Sequence, residues 1–96
     1  MKVRLSEKAD ADLLRIYSYA ASRNPTAARG IVEAIHKKLD ILSHFPFAGQ
    51  SRPHLGPAIR GFVSGNLVIL YVAEGEDITV VRIIDGRMDV DEEFRR

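Results

Sequence analysis

The stretch Ala58–Asp89, AIRGFVSGNLVILYVAEGEDITVVRIIDGRMD, decides the fold. Within it Leu67–Val72 (LVILYV) is an unbroken apolar run of strand length, and Ile78–Ile84 (ITVVRII) is nearly another. Both are rich in β-branched residues and bounded by turn formers, Ser64-Gly65-Asn66 before the first and Glu74-Gly75-Glu76-Asp77 between them. A shorter run, Ile59–Val63, precedes them. Runs apolar on both faces belong to the middle of a sheet covered on both sides. Short turns between such runs make antiparallel hairpins. The pattern predicts a three-strand meander, with the rest of the chain covering it.

Working outward, Lys2–Leu5 alternates polar and apolar, the pattern of a short edge strand whose charges discourage edge-to-edge pairing. Ser6 is a candidate N-cap, and Glu7 sits where a helix dipole favours an acid. Ala9, Leu13, Ile16, Tyr17 and Ala20 then recur at helical spacing on one apolar face, predicting a helix that ends near Arg23. Asn24-Pro25 caps and opens a second helix. Its stripe is Ala28, Ile31, Ile35, Leu39 and Leu42, and the short link makes the pair an antiparallel hairpin. Phe45-Pro46 ends it, because the residue before proline disfavours the helical region. Phe47–Pro57 reads as a loop, with Phe47 and Leu55 expected to fold back on the core. After Asp85-Gly86 breaks the last strand, Met88–Phe94 is expected to form one or two helical turns. The order is β-α-α-β-β-β with a short tail, a two-layer α+β domain with an antiparallel sheet packed against a helical hairpin.

The 96 residues make one domain, 1–96. The net charge of +1 hides an asymmetry: residues 15–60 carry a balance of +5 and residues 74–93 a balance of −6. Such a split serves solubility or partner selection. There are no cysteines, so neither disulfides nor thiolate metal sites are available, in keeping with a cytoplasmic protein. No run is long enough for a membrane span, and MKVRLSEKADAD turns charged too soon for a signal peptide.

The chemistry-bearing residues are few. His36, His44 and His54 form no HExxH and no i,i+4 pair of histidines, so no metal site is expected. His36 and His44 read as helix-surface residues, and His54 as a loop residue open to a functional role. No GxSxG, phosphate loop or dinucleotide fingerprint occurs. Arg82 interrupts an apolar strand on the alternation of Ile78, Val80 and Ile84. It is either a snorkelling edge residue or a group aimed into a concave surface. Arg60 begins its strand after the Gly/Pro-rich loop, and Arg87 stands at a strand end. Tyr17, Tyr19 and Tyr71 read as packing residues with hydrated hydroxyls.

Taken together, the Asn24-Pro25-Thr26-Ala27-Ala28 helix start, the Leu42…Pro46…Gly49…Arg52 segment, Ile59-Arg60, Ile69-Leu70-Tyr71 and Arg82…Asp85-Gly86-Arg87…Asp89 resemble one known group. The chain is similar over nearly its whole length to the ParE/RelE superfamily of bacterial type II toxin–antitoxin toxins, and most of all to the ParE, or plasmid-stabilisation, branch. The resemblance implies that the first strand joins the sheet beside ITVVRII. It also implies growth inhibition by a DNA gyrase inhibitor that has no catalytic residues or cofactor of its own. The expected partners are a cognate antitoxin (ParD-like or another DNA-binding antitoxin) and DNA gyrase as target, with no membrane and no sequence-specific nucleic-acid contact. The antitoxin is expected to thread a C-terminal segment along the groove between the helical hairpin and the sheet, with Arg15, Arg29, Arg52 and Arg60 as candidates; Arg82, Arg87, Phe94 and Arg95 are the candidates for the target.

The alternative within the superfamily is a RelE-like ribosome-dependent mRNA endonuclease using Arg60, Arg82 and Arg87. That branch typically opens its central strand with Arg, where this chain has Leu67 and Val68. It often carries Tyr near the C-terminus, where this chain has Glu93 and Phe94, and His before the glycine, where this chain has Asp85. The acids Asp89, Asp91, Glu92 and Glu93 would also repel RNA phosphate. A third possibility is a degenerate homologue that binds antitoxin without harming the cell.

Overall fold

The computed structural model describes residues 2–96. In chain order the elements are β1 (Lys2–Leu5), α1 (Glu7–Arg23), α2 (Pro25–His44), β2 (Gln50–Ser51), β3 (Ile59–Ser64), β4 (Leu67–Glu74), β5 (Asp77–Asp85) and α3 (Val90–Arg95). The capping residues act as their chemistry dictates. Ser6 Oγ accepts the Ala9 N–H at 3.1 Å, and Asn24 Oδ1 accepts those of Thr26 and Ala27 at 3.1 and 3.2 Å. No helix among the described residues is long and apolar enough to cross a membrane.

The sheet has five strands in the order β1-β5-β4-β3-β2. The meander β3-β4-β5 is antiparallel, but β1 runs parallel to β5, so the sheet is mixed rather than purely antiparallel. The helical hairpin supplies the long crossover that a parallel pair needs. β2 is a two-residue strand inside the segment read as loop, bonded to Arg60 and Gly61. Two rungs are too few to leave a periodic signature in sequence.

One face of the sheet packs Ile69, Tyr71, Ile78, Val80 and Ile83 against Ala9 of α1 and Ile35 and Leu42 of α2. Each such aliphatic side chain contributes about 1.5–3 kcal/mol on leaving water. The other face gathers Ile59, Val68, Leu70 and Ile84 under Leu55, Val90 and Phe94. The Arg52–Ala58 loop and α3 are therefore the second cover that the doubly apolar LVILYV run requires. Phe47 departs from expectation: it is two-thirds exposed rather than folded back on the core.

A β-bulge explains a second departure. Tyr71 pairs with Val80 and Leu70 with Arg82, so Val81 is an extra residue in β5. The alternation shifts there: Ile78 and Val80 face the helices, while Ile84 faces α3. Arg82 thus does not share the face of Ile78 and Val80, as strict alternation predicts.

Candidate functional site: a basic-rimmed groove and its supports

β1 ends where Leu5 pairs with Val80, leaving the edge of β5 open beyond it. The chain closes that edge with polar groups of α1 and its cap. Ser6 N–H donates to Val80 O at 2.9 Å and Ser6 Oγ to Val81 O at 3.0 Å. Asp12 Oδ2 takes the Ile83 N–H at 3.0 Å. The same carboxylate receives Arg82 at 2.7 and 3.1 Å, and Arg15 at 2.8 Å. The third arm of Arg82, Nη1, donates to Glu93 O at 2.7 Å, tying α3 to the same point. Burial pushes the Asp12 carboxyl up, but the bonds from Arg82, the Ile83 N–H and Arg15 outweigh it and hold the pKa below its usual value. Asp12 was not among the candidates. Its signal was an acid set between Ala9, Leu13 and Ile16, on the side of α1 that must face the sheet.

Tyr71 supports the other end of the molecule. Its ring is fully buried, and its hydroxyl donates to Pro46 O at 2.8 Å and accepts the Gly49 N–H at 2.9 Å. That hydroxyl is therefore held by backbone and not hydrated as expected. Burial raises its pKa, opposed by the Gly49 N–H and the nearby Arg60. Tyr19 is mostly exposed, with Arg23 stacked 4.7 Å from its ring centre.

Between α1, α2 and the β3–β4 turn lies a groove of about 830 Å³. Its floor comes from small residues, Ala20, Ala27, Gly30 and Ala34, with Ile16 and Ile31. A Cβ built on Gly30 would meet nothing within 4 Å. Arg15, Arg23 and Arg87 stand on the rim, with Asp85 as the one acid. The far wall is fixed by the Gly86 N–H, which donates to Asn66 O at 2.7 Å. Arg87 grips Asp85 through two nitrogens at 3.0 and 2.7 Å, and with its own backbone N–H holds the Asp85 carboxyl down to about 2. The groove is thus apolar within and cationic outside, the form that receives an amphipathic acidic segment.

The candidates for the antitoxin are not gathered in one place. Arg15 lines the groove, and Arg29 is exposed on α2 outside it. Arg52 lies across Gly61 in contact with it, and its Nε has no hydrogen-bond partner. Arg60 donates to Gly49 O at 2.8 Å and stacks 4.9 Å from the centre of the Phe47 ring. Of the target candidates, Arg82 is turned inward onto Asp12, and Phe94 packs against the core beneath α3. Arg95 is exposed, and Arg87, expected on a separate surface, stands on the groove wall. Arg60, Arg82 and Arg87 each have their own internal partner, so no shared phosphate-gripping cluster forms among them. His54 Nε2 lies 3.2 Å from Asp91, linking the loop to α3.

Residues 3–90 match the family model described as "ParE toxin of type II toxin-antitoxin system, parDE". The chain belongs to the ParE toxin family. It is 34% identical over 80 residues to Toxin ParE3 of Caulobacter vibrioides, covering 82% of this chain and 80% of that protein. A solved structure titled "Chromosomal ParDE TA system from P. aeruginosa" superposes with a TM-score of 0.74 at 25% identity, covering 88% of this chain and 95% of that one. The ParE match takes in both helices of the hairpin and all of the sheet but Lys2. Every residue lining the groove lies within the matched stretch.

Proposed function

We propose that this ParE-type toxin arrests growth by binding DNA gyrase, without bond-breaking chemistry of its own, and that a cognate antitoxin silences it in the cytoplasm by filling the groove. The observation that carries the antitoxin half is the pairing of a small-residue floor with a rim of Arg15, Arg23 and Arg87. An antitoxin tail with apolar anchors and flanking acids meets both features. Ordering such a tail is costly, so the anchors on the floor must supply much of the affinity. Family membership supports gyrase as the target, and so does the dispersal of the cations a nuclease would need. Arg82 is committed to Asp12 and Arg60 to Gly49 O, and Arg87 stands apart from both on the groove rim.

Gly30→Leu tests the groove. The new side chain enters open space on the floor, so the fold gains helix propensity of about 0.5–1 kcal/mol. Affinity for the cognate antitoxin should fall about tenfold or more, because the floor is no longer free. Calorimetric titration reads the affinity and a thermal melt reads the fold. Undiminished affinity at a raised melting temperature would place the antitoxin elsewhere. Expression from a tight promoter tests the target: an SOS response with gyrase-linked DNA breaks is expected. Codon-positioned mRNA cuts would point to the endonuclease, and unimpaired growth to a degenerate homologue.

A further inference from the structure

The end of α2 remote from the groove displays two phenylalanines. Phe45 is 66% and Phe47 67% exposed, and Ile41, one turn earlier, is 40% exposed. From Ala34, the groove-lining residue of α2 nearest to this end, to Phe45 is 11 residues of helix axis, about 16 Å at 1.5 Å per residue. Exposed aromatics usually sit on adaptable surface, but these sit on a braced turn. The Phe45 N–H closes α2 on Ile41 O at 2.8 Å, and the Ala48 N–H returns to Phe45 O at 3.0 Å. The buried Tyr71 hydroxyl holds Pro46 O and the Gly49 N–H, and Arg60 holds Gly49 O at 2.8 Å. A Cβ at Gly49 would lie 2.6 Å from Tyr71, so the backbone is pressed onto that ring.

None of this bracing buries Phe45 or Phe47. It fixes them in place while leaving them wet, which is how an interface anchor is preorganised. Their surroundings are cationic. Arg60 stacks on Phe47, and Lys38, on the same side of α2 as Ile41 and Phe45 by spacing, stands 5.3 Å from the centre of the Phe62 ring. Asp40 is the nearby acid, and the His44 ring meets its backbone oxygen at 2.9 Å. A second copy docking through this same face would set like charges against one another here. An acidic surface with an apolar pocket would not.

We infer that Phe45 and Phe47 form a second docking surface, separate from the groove, by which the toxin engages an acid-rimmed apolar pocket on the protein it poisons. That the partner is the poisoned protein rests on the function proposed above, but gyrase can fail as the target while the surface stands. The test is Phe45→Ser/Phe47→Ser, with Leu14→Ser, equally exposed on α1, as the control. Both aromatics are mostly outside the core, so the double variant should melt with the wild type and bind antitoxin within about twofold. Growth arrest on expression should be lost, with survivors rising about 100-fold or more, as expected when two anchors are removed. Leu14→Ser should arrest growth like the wild type.

The inference is overturned if the double variant arrests growth fully, or if it loses antitoxin binding in the same measure. It is also overturned if the wild type arrests nothing, or if the variant abolishes only a wild-type dimer. Purified DNA gyrase in a supercoiling assay separates the two readings. A wild type that leaves gyrase untouched, while the double variant no longer arrests growth, keeps the surface and discards gyrase.

Discussion

Asp12→Ala is expected to destabilise the protein by about 3–5 kcal/mol, a large share of the total stability of a domain this size. The side chains of Asp12 and Arg82 are only 3% and 10% exposed, so removing the carboxylate leaves a buried guanidinium without its counter-charge. It also strips the Ile83 N–H of its acceptor at the open edge of β5. The melting temperature should fall by about 15–30 °C. Replacing both partners with apolar residues, Asp12→Leu/Arg82→Met, should cost less than Asp12→Ala alone, because no orphaned charge remains. A loss under about 1 kcal/mol would mean that the pair behaves like a solvated surface bridge.

The pair also sets a pH dependence. The Asp12 pKa is lower in the folded chain than its ordinary value of 3.8. Its stabilisation is therefore complete above the unfolded value and lost as pH falls through the folded one. Denaturant titrations should show stability dropping as pH falls below about 4. Asp12→Asn, which keeps an acceptor for Ile83 but carries no charge, should be less stable near neutrality and flatter across that window.

Gly49→Ala is the second substitution with a large expected cost, about 2–4 kcal/mol. Its methyl would lie 2.6 Å from Cε1 and from the hydroxyl oxygen of Tyr71, and 3.0 Å from Gly61 O. Tyr71 is fully buried and cannot swing aside, so the turn must lift and break its bond to the hydroxyl. Tyr71→Phe leaves Pro46 O and the Gly49 N–H unpaired and should cost about 1–3 kcal/mol. Combining the two should not rescue Gly49→Ala, because the ring carbon remains in the way. Chemical denaturation of the three variants measures this. A Gly49→Ala variant as stable as wild type would show that the turn is free to move, and would remove the argument for a braced display of Phe45 and Phe47.

These supports explain which parts of the fold the sequence disclosed. Leu67–Val72 and Ile78–Ile84 announce strands, and Ser6 and Asn24-Pro25 announce helix starts, because each signal is local and repeats at the element's own period. The two-sided apolarity of LVILYV also called for a second cover; Leu55 turns inward as expected, but the share of Val90 and Phe94 could not be read from spacing. The Asp12–Arg82 bond joins residues 70 apart and has no periodic trace. The bulge at Val81 shifts Arg82 by a single residue, which alternation alone cannot register. The groove between hairpin and sheet is expected, but its lining is not legible for another reason: it is made by side chains that are missing, at Ala20, Ala27, Gly30 and Ala34. Phe47 misled because an isolated aromatic in a loop usually turns inward, whereas here the backbone beneath it is held and the ring is not.

The account depends on harm by docking rather than by cleavage. Its most direct measurement incubates the purified toxin with DNA gyrase and supercoiled plasmid, and in parallel with translating ribosomes carrying mRNA. Accumulation of gyrase–DNA cleavage complexes with intact message is the predicted result. Cut message in the ribosomal reaction with gyrase unaffected would contradict it.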